Sequence, residues 1–239
     1  MNIRPKKLAA KYGLSANTLR SYEARGLMPP AERSANGYRM YTELHEAYAA
    51  CIQAMAAAFG MEITNEVIRR LRRNELEDAL WIVREKEVGL HREKESLDQM
   101  VRELKSYAET GQAYGYNRYF SIHEVSARTG APKSAIRYWE KSGLFTTERN
   151  SDNQYRLYHE AHLLKIRMIQ LLQSAVYSEE TVDLKQSIAR LAFENMEDAI
   201  KLSERIQAYL HKTIKRQMRA VYFLFRLLQA IGFEQTPDT

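Results

Sequence analysis

At 239 residues and 27.9 kDa the chain has room for one or two core-bearing domains, and two small ones fit best. Ten glycines and five prolines are few, which argues against turn-dense all-β, collagen-like and low-complexity architectures, while 45% hydrophobic and 28% charged residues describe a chain that folds around a core, mainly as helix. Thirty-six Lys and Arg against thirty Asp and Glu leave +6 and a pI near 9.3, an excess that permits a polyanionic partner without proving one.

Met1 to Lys7 is basic but no apolar run follows, so no signal peptide is expected. A short amphipathic helix is predicted over Pro5 to Lys11, stopped at Gly13, where the chain must turn. Ser15 is a fitting N-cap for a second helix that runs to Arg25 and ends at Gly26. Arg33 to Tyr41 then sets a polar turn among alternating aromatic and basic residues, the pattern of a small β-hairpin. Two helices are predicted next, Glu43 to Phe59 and Thr64 to Arg73. The lone cysteine, Cys51, falls on an Ala-rich helix face and reads as a buried small side chain rather than a redox switch. With no Cys-x-x-Cys pair, a disulfide framework, zinc ribbons and iron–sulfur ligation are excluded, and a reducing cytoplasm is expected. From Leu76 a heptad seam continues through Leu80, Val83, Glu87, Leu90, Lys94, Leu97, Val101, Leu104 and Ala108, and such a seam demands a partner helix.

After a short linker the sequence repeats itself. A shift of 117 positions (20 to 137) lays Ala10 on Ala127, Gly13 on Gly130, Arg20 on Arg137, Glu23 on Glu140, Gly26-Leu27 on Gly143-Leu144 and Tyr38-Arg39-x-Tyr41 on Tyr155-Arg156-x-Tyr158. The second copy therefore predicts a helix over Ile122 to Arg128 and one to Ser142 with Pro132 in its first turn. A hairpin over Arg149 to Tyr158 and helices Glu160 to Ala175 and Ser178 to Ala189 follow. A second seam steps through Met196, Ala199, Ser203, Ile206, Leu210, Thr213, Gln217, Ala220, Leu224, Leu227 and Ile231. The most apolar stretch, Ala220 to Phe233, is too short and contains Arg226, so no membrane span is expected and the chain reads as soluble.

A helix-turn-helix followed at once by a hairpin is a winged helix. The residues Arg20-Ser-Tyr-Glu23, Gly26-Leu27, Arg33 and Tyr38-Arg-x-Tyr41, repeated as Arg137-Tyr-Trp-Glu140, Gly143-Leu144, Arg149 and Tyr155-Arg-x-Tyr158, resemble the DNA-binding domain of MerR-family transcription regulators. The expected organisation is a first winged-helix domain at 1–75, a long helix at 76–109, a linker at 110–119, a second winged-helix domain at 120–190, a second long helix at 191–233 and a tail at 234–239. The resemblance implies a mainly α fold, with the long helices paired antiparallel. Because the linker is short, that pairing is expected within one chain as a pseudo-dimer. A homodimer of copy one stays open, since Glu87 and Lys94 lie symmetrically about Leu90.

Arg can address guanine and Asn adenine in the major groove, while Arg, Lys, Ser, Thr and Tyr hold phosphates. The candidate DNA-binding residues are Asn17, Thr18, Arg20, Ser21 and Tyr22 with Arg33, Tyr38, Arg39 and Tyr41 of the first wing, and Lys133, Ser134, Arg137 and Tyr138 with Arg149, Tyr155, Arg156 and Tyr158 of the second. The resemblance places the Arg and the following Tyr on the DNA side; Ser21 departs from the pattern. Packing is an even alternative for the four wing tyrosines, and Trp139 and Leu19 are expected in the core. Met1 to His45 holds eight Lys and Arg against three Asp and Glu, and Arg118 to His162 seven against five, so copy one should carry more of the salt-sensitive affinity. Unlike recognition helices predict an asymmetric operator, and the resemblance suggests distortion of promoter DNA that RNA polymerase then reads, in a cytoplasmic, nucleoid-associated bacterial protein.

Many relatives sense metals through cysteines at the ends of the long helix; this chain has none there, and His159 with His162 lacks a third ligand, so neither metal nor cofactor is expected. Only Gly232 to Thr239 follow the second seam, too little for an appended drug-binding domain. An effector, unnamed by the sequence, would need a pocket between helices near Trp81 or Tyr222, Phe223 and Phe225, although aromatic stripes on long helices commonly pack. No nucleophile and base, phosphate loop or metal triad points to an enzyme. The competing reading is a protein-interaction adaptor whose winged helices do not bind DNA.

Overall fold

The computed structural model describes residues 3–110, 118–192 and 196–233, so most of the expected linker, residues 111–117, and the tail at 234–239 lie outside the described residues. The chain divides into two compact units, Met1–Val88 with Lys212–Thr239, and Gly89–His211. Among the described residues no helix is long and apolar enough to cross a membrane.

In the first unit, α1 (Pro5–Lys11) and α2 (Ala16–Ala24) form the helix-turn-helix. Gly13 takes φ 64° in the turn between them, a left-handed conformation that costs glycine nothing, and Ser15 caps α2 by accepting from the Thr18 amide at 3.0 Å. Strands β1 (Glu32–Arg33) and β2 (Arg39–Met40) pair antiparallel, with Glu32 opposite Met40 and Arg33 opposite Arg39. An isolated bridge from Ile3 to Tyr41 ties the wing to the start of the chain. Helix α3 (Glu43–Arg72) is broken at Gly60, whose φ of 82° and ψ of 161° are not helical, into two segments that correspond to the two helices expected there. The buried Thr64 hydroxyl donates to the Gly60 carbonyl at 2.7 Å across the break.

The second unit repeats the plan with α5 (Ile122–Thr129), α6 (Lys133–Lys141), β3 (Glu148–Arg149), β4 (Arg156–Leu157), α7 (Glu160–Gln170) and α8 (Glu179–Arg190). Pro132 stands at the N-cap of α6, one position before the helical turn expected of it, and α7 stops at Gln170, short of Ala175. Both heads fix the helix after the wing with the same device. The Thr42 amide donates to His45 Nδ1 at 3.1 Å, and the His159 amide to His162 Nδ1 at 2.9 Å. His162 Nε2 lies 2.7 Å from the Thr146 carbonyl oxygen, so both of its ring nitrogens serve the fold, and the two histidines form a cap.

Two long helices, α4 (Leu76–Thr110) and α9 (Met196–Ile231), contribute to both cores. Ala79 and Val83 of α4 share the first core with Ala220, Leu224 and Leu227 of α9, around Leu8, Leu19, Ile52 and Met55. Leu97, Met100 and Leu104 share the second with Ala199, Ile206 and Leu210, around Phe120, Ile136, Trp139 and Ile169. The α9 seam is buried or half-buried along its length, as expected. On α4 the expected seam is corrected at three places: Leu80, Lys94 and Ala108 are exposed, and Ala79 and Met100 take core positions. Lys94 instead pairs with Asp98 one turn on.

Candidate nucleic-acid interface

Each head presents a recognition helix and a hairpin built on one buried layer. Leu19 and Trp139 sit in that layer, which leaves Asn17, Arg20 and Ser21 of α2 and Ser134, Arg137 and Tyr138 of α6 exposed. Thr18 and Lys133 are half-buried. The Thr18 hydroxyl lies 2.8 Å from Ser15 Oγ, and Lys133 Nζ lies 2.8 Å from Nδ1 of His123, a neighbour that sequence reasoning did not single out. Tyr138, 67% exposed, stands where α2 carries Ser21, so only the second head offers a tyrosine at this position.

Three of the expected contacts are corrected by burial. Tyr22 is 7% exposed and packs in the first core, because it occupies the position of Trp139 in the repeat. Tyr41 and Tyr158 are fully buried at the base of their wings, held there by the bridges to Ile3 and Phe120. Tyr38 and Tyr155 take the opposite disposition, 73% and 72% exposed on the hairpins.

The wing arginines divide by role. Arg33 and Arg149 are exposed, and each spends one guanidinium N–H on its own turn, Nη1 donating at 3.1 Å to the Gly37 and Gln154 carbonyls. Arg39 and Arg156 are half-buried and point inward, Nε donating to Glu23 at 3.2 Å and to Glu140 at 2.6 Å. Each of these internal ion pairs sets the hairpin on the recognition helix through Nε alone. Burial raises the Glu23 carboxyl, but hydrogen bonds from Tyr41 and Arg39 outweigh it and hold the group below its ordinary range. Burial, with the bond to Glu23, pushes the Tyr41 phenol up. In the second head Glu140 accepts instead from Thr147 at 2.6 Å, and the buried Tyr158 hydroxyl has no hydrogen-bond partner among the described residues.

One contributor had no sequence signal. Arg72, at the end of α3, donates to the Gly26 carbonyl at 2.7 Å and the Met28 carbonyl at 3.0 Å, pinning the turn after α2 from 46 positions away. Cys51 is fully buried, and burial pushes its thiol up, so it stays protonated. Trp81, Tyr222 and Phe225 are exposed and Phe223 is half-buried. Among the described residues no cluster of three or more His, Cys, Asp or Glu could hold a metal ion.

Comparison with known proteins bears on both heads. Residues 4–41 match the family described as MerR family regulatory protein, and residues 120–184 the family described as MerR HTH family regulatory protein. The HTH-type transcriptional regulator CueR of Salmonella typhi is 39% identical over 69 residues, 28% of this chain and 49% of the relative. The mercuric resistance operon regulatory protein of Bacillus cereus is 46% identical over 43 residues, 18% of this chain and 33% of the relative. A type II methyltransferase of Escherichia coli, M.Eco47II, is 32% identical over 62 residues, which are 26% of this chain and only 15% of that enzyme. The chain thus spans half or less of the length of these relatives. No solved structure matches it. With both heads matched and both built on the same buried layer, the chain belongs to the MerR family, as a protein with two tandem MerR-type domains.

Proposed function

We propose that this protein is a sequence-specific double-stranded DNA-binding transcription regulator, and that one chain reads two unlike half-sites. The observation that carries the proposal is the pair of heads exposing different residues from the same frame. Asn17, Arg20, Ser21 and Tyr38 are exposed in one, and Ser134, Arg137, Tyr138 and Tyr155 in the other. Arg20 and Arg137 address base edges or phosphates from the recognition helices, and Tyr38, Tyr155, Arg33 and Arg149 hold flanking backbone. Both long helices contribute to each core, which supports an antiparallel pseudo-dimer within one chain. On binding, the promoter between the two half-sites is bent or untwisted, a change that RNA polymerase reads indirectly. In this reading the chain is no enzyme and acts in the cytoplasm of a bacterial cell, on the nucleoid.

An electrophoretic mobility shift on genomic fragments tests the proposal. Retention at low salt that weakens steeply with salt is expected, and Arg20→Ala and Arg137→Ala should each reduce it. Absence of retention at low salt would favour the adaptor reading and contradict this one. Sedimentation tests the pseudo-dimer: a mass near 27.9 kDa at micromolar concentration is expected, and twice that mass contradicts it.

A further inference from the structure

Each unit holds a groove between its head and a long helix. In the second unit it is a cavity of about 660 Å³; in the first it is two cavities of about 330 and 660 Å³ that share Tyr12, Ala50 and Phe223. They are one place, built twice. By the step of 117, Thr129, Arg167, Gln170 and Leu171 of the second head stand where Tyr12, Ala50, Gln53 and Ala54 stand in the first. On the long helices the core positions Leu97, Met100 and Leu104 answer to Gln217, Ala220 and Leu224, a step of 120 (97 to 217), which sets Ser96, Gln99 and Glu103 against Arg216, Arg219 and Phe223. The anchoring is kept. Gln170 Nε2 donates to the Thr129 carbonyl at 3.1 Å, and Gln53 Nε2 donates to the Tyr12 carbonyl.

The chemistry across the gap is not kept. In the second unit Arg167 of α7 pairs with Glu103 of α4, and Ser174 donates to Glu93, so the groove is bridged by its own side chains. In the first unit Ala50 replaces that arginine and Phe223 replaces that carboxylate, while Ala54 replaces Leu171. Two guanidinium groups, Arg216 and Arg219, arrive where Ser96 and Gln99 stood. Arg219 lies over the Phe223 ring at 5.5 Å, and neither arginine forms an ion pair among the described residues. The Glu46 carboxylate on the head wall is already held by Lys11 and by the Tyr12 hydroxyl at 2.9 Å, and α9 carries no acidic residue after Glu204.

We propose that this groove of the first unit binds a small molecule with a flat apolar body and one anionic group. The body lies between Phe223 and the Ala50 and Ala54 wall, and the anion accepts hydrogen bonds from Arg216 and Arg219, whose planar donors suit a carboxylate, sulfonate or phosphate. The space matches what small-molecule sites use, about 300–1,000 Å³. The bridged groove of the second unit does not take the same ligand.

The test uses the whole chain and a fluorescent aromatic anion, 8-anilino-1-naphthalenesulfonate. Saturable binding of one probe per chain is expected, displaced by 2-naphthoate and not by the cation of 2-(aminomethyl)naphthalene. Arg216→Gln with Arg219→Gln should weaken binding at least about tenfold, as loss of a charge-assisted contact does. Ala54→Leu, which restores the residue of the second unit, should block the site. Arg216→Lys with Arg219→Lys keeps the charge and should retain binding, and Arg167→Ala in the other groove should leave it unchanged. Equal displacement by cation and anion in the wild-type chain overturns the proposal, as does unchanged affinity in the Gln pair or in Ala54→Leu.

Discussion

Glu23 in the first head and Glu140 in the second occupy the same place, accept from the same wing arginine, and then part. Glu23 also receives the hydroxyl of the buried Tyr41, so all three groups are satisfied. Glu140 turns to the hydroxyl of Thr147, which directly precedes Glu148 of the hairpin as Ala31 precedes Glu32 in the first head, and Tyr158 is buried with its hydroxyl unanswered. A side-chain hydroxyl at the entry to the hairpin, where the first head has alanine, thus accompanies the rerouted network that seats the wing. It teaches that the frame of the head is set by apolar burial and the ion pair, whereas the tyrosine's hydrogen bond is an addition that one head has and the other lacks.

That contrast can be broken by substitution. Glu23→Ala should cost about 3 kcal/mol, since it strands both Arg39 and the buried Tyr41 hydroxyl, while Glu140→Ala should cost less because Tyr158 loses nothing. Hydrogen exchange resolved on peptides of each unit measures both; equal losses would refute the rerouted network. Arg20→Ala and Arg137→Ala should each weaken DNA binding by about 1–3 kcal/mol, with relaxed sequence preference only in the half-site read by the altered head. Uniform weakening across both halves would mean phosphate contact alone. Tyr41→Phe should destabilise the first unit by about 1–2 kcal/mol, whereas Tyr158→Phe should be neutral or slightly stabilising, because removing an unpaired buried hydroxyl removes its desolvation cost.

Smaller than these is a pH response that sets in at different pH in the two heads. Burial holds His162 below its ordinary value of 6.5, so between the two values the unfolded chain binds the proton that the folded one refuses. The second unit should therefore lose stability as pH falls through 6.5. Glu23, held below its ordinary 4.5, contributes stability that is present above that value and lost only at lower pH, as the folded carboxyl protonates. Acidification to about pH 5.5 should loosen the second unit before the first, by exchange rates; the reverse order would contradict the assignment.

The heads were legible because their elements are punctuated: Gly13 and Gly130 both take positive φ at the expected turns, and Ser15 caps as expected. The wing tyrosines were legible only in part. Tyr38 and Tyr41 are three apart, and strand alternation puts such residues on opposite faces, so one of each pair had to turn inward. Which one is decided by the bridge from Ile3, a contact across 38 positions that no local pattern records. Tyr22 was a readable miss, since the repeat had already set it on Trp139. On α4, Ala79 and Leu80 compete for one core position, and an apolar count favours the leucine that the structure leaves out. The grooves were legible only in part: Tyr222 and Phe223 were named as a place for a pocket, but the Ala50 wall joins them only once helices far apart in the chain share a core.

The proposed reading of two different half-sites by one polypeptide has a direct test. Selection of bound sequences from random DNA, with the mass of the recovered complex measured directly, tests it in one experiment. One chain of 27.9 kDa on an asymmetric site, with dissimilar halves protected in a footprint, is the expected result. Two chains on a perfect inverted repeat would contradict it.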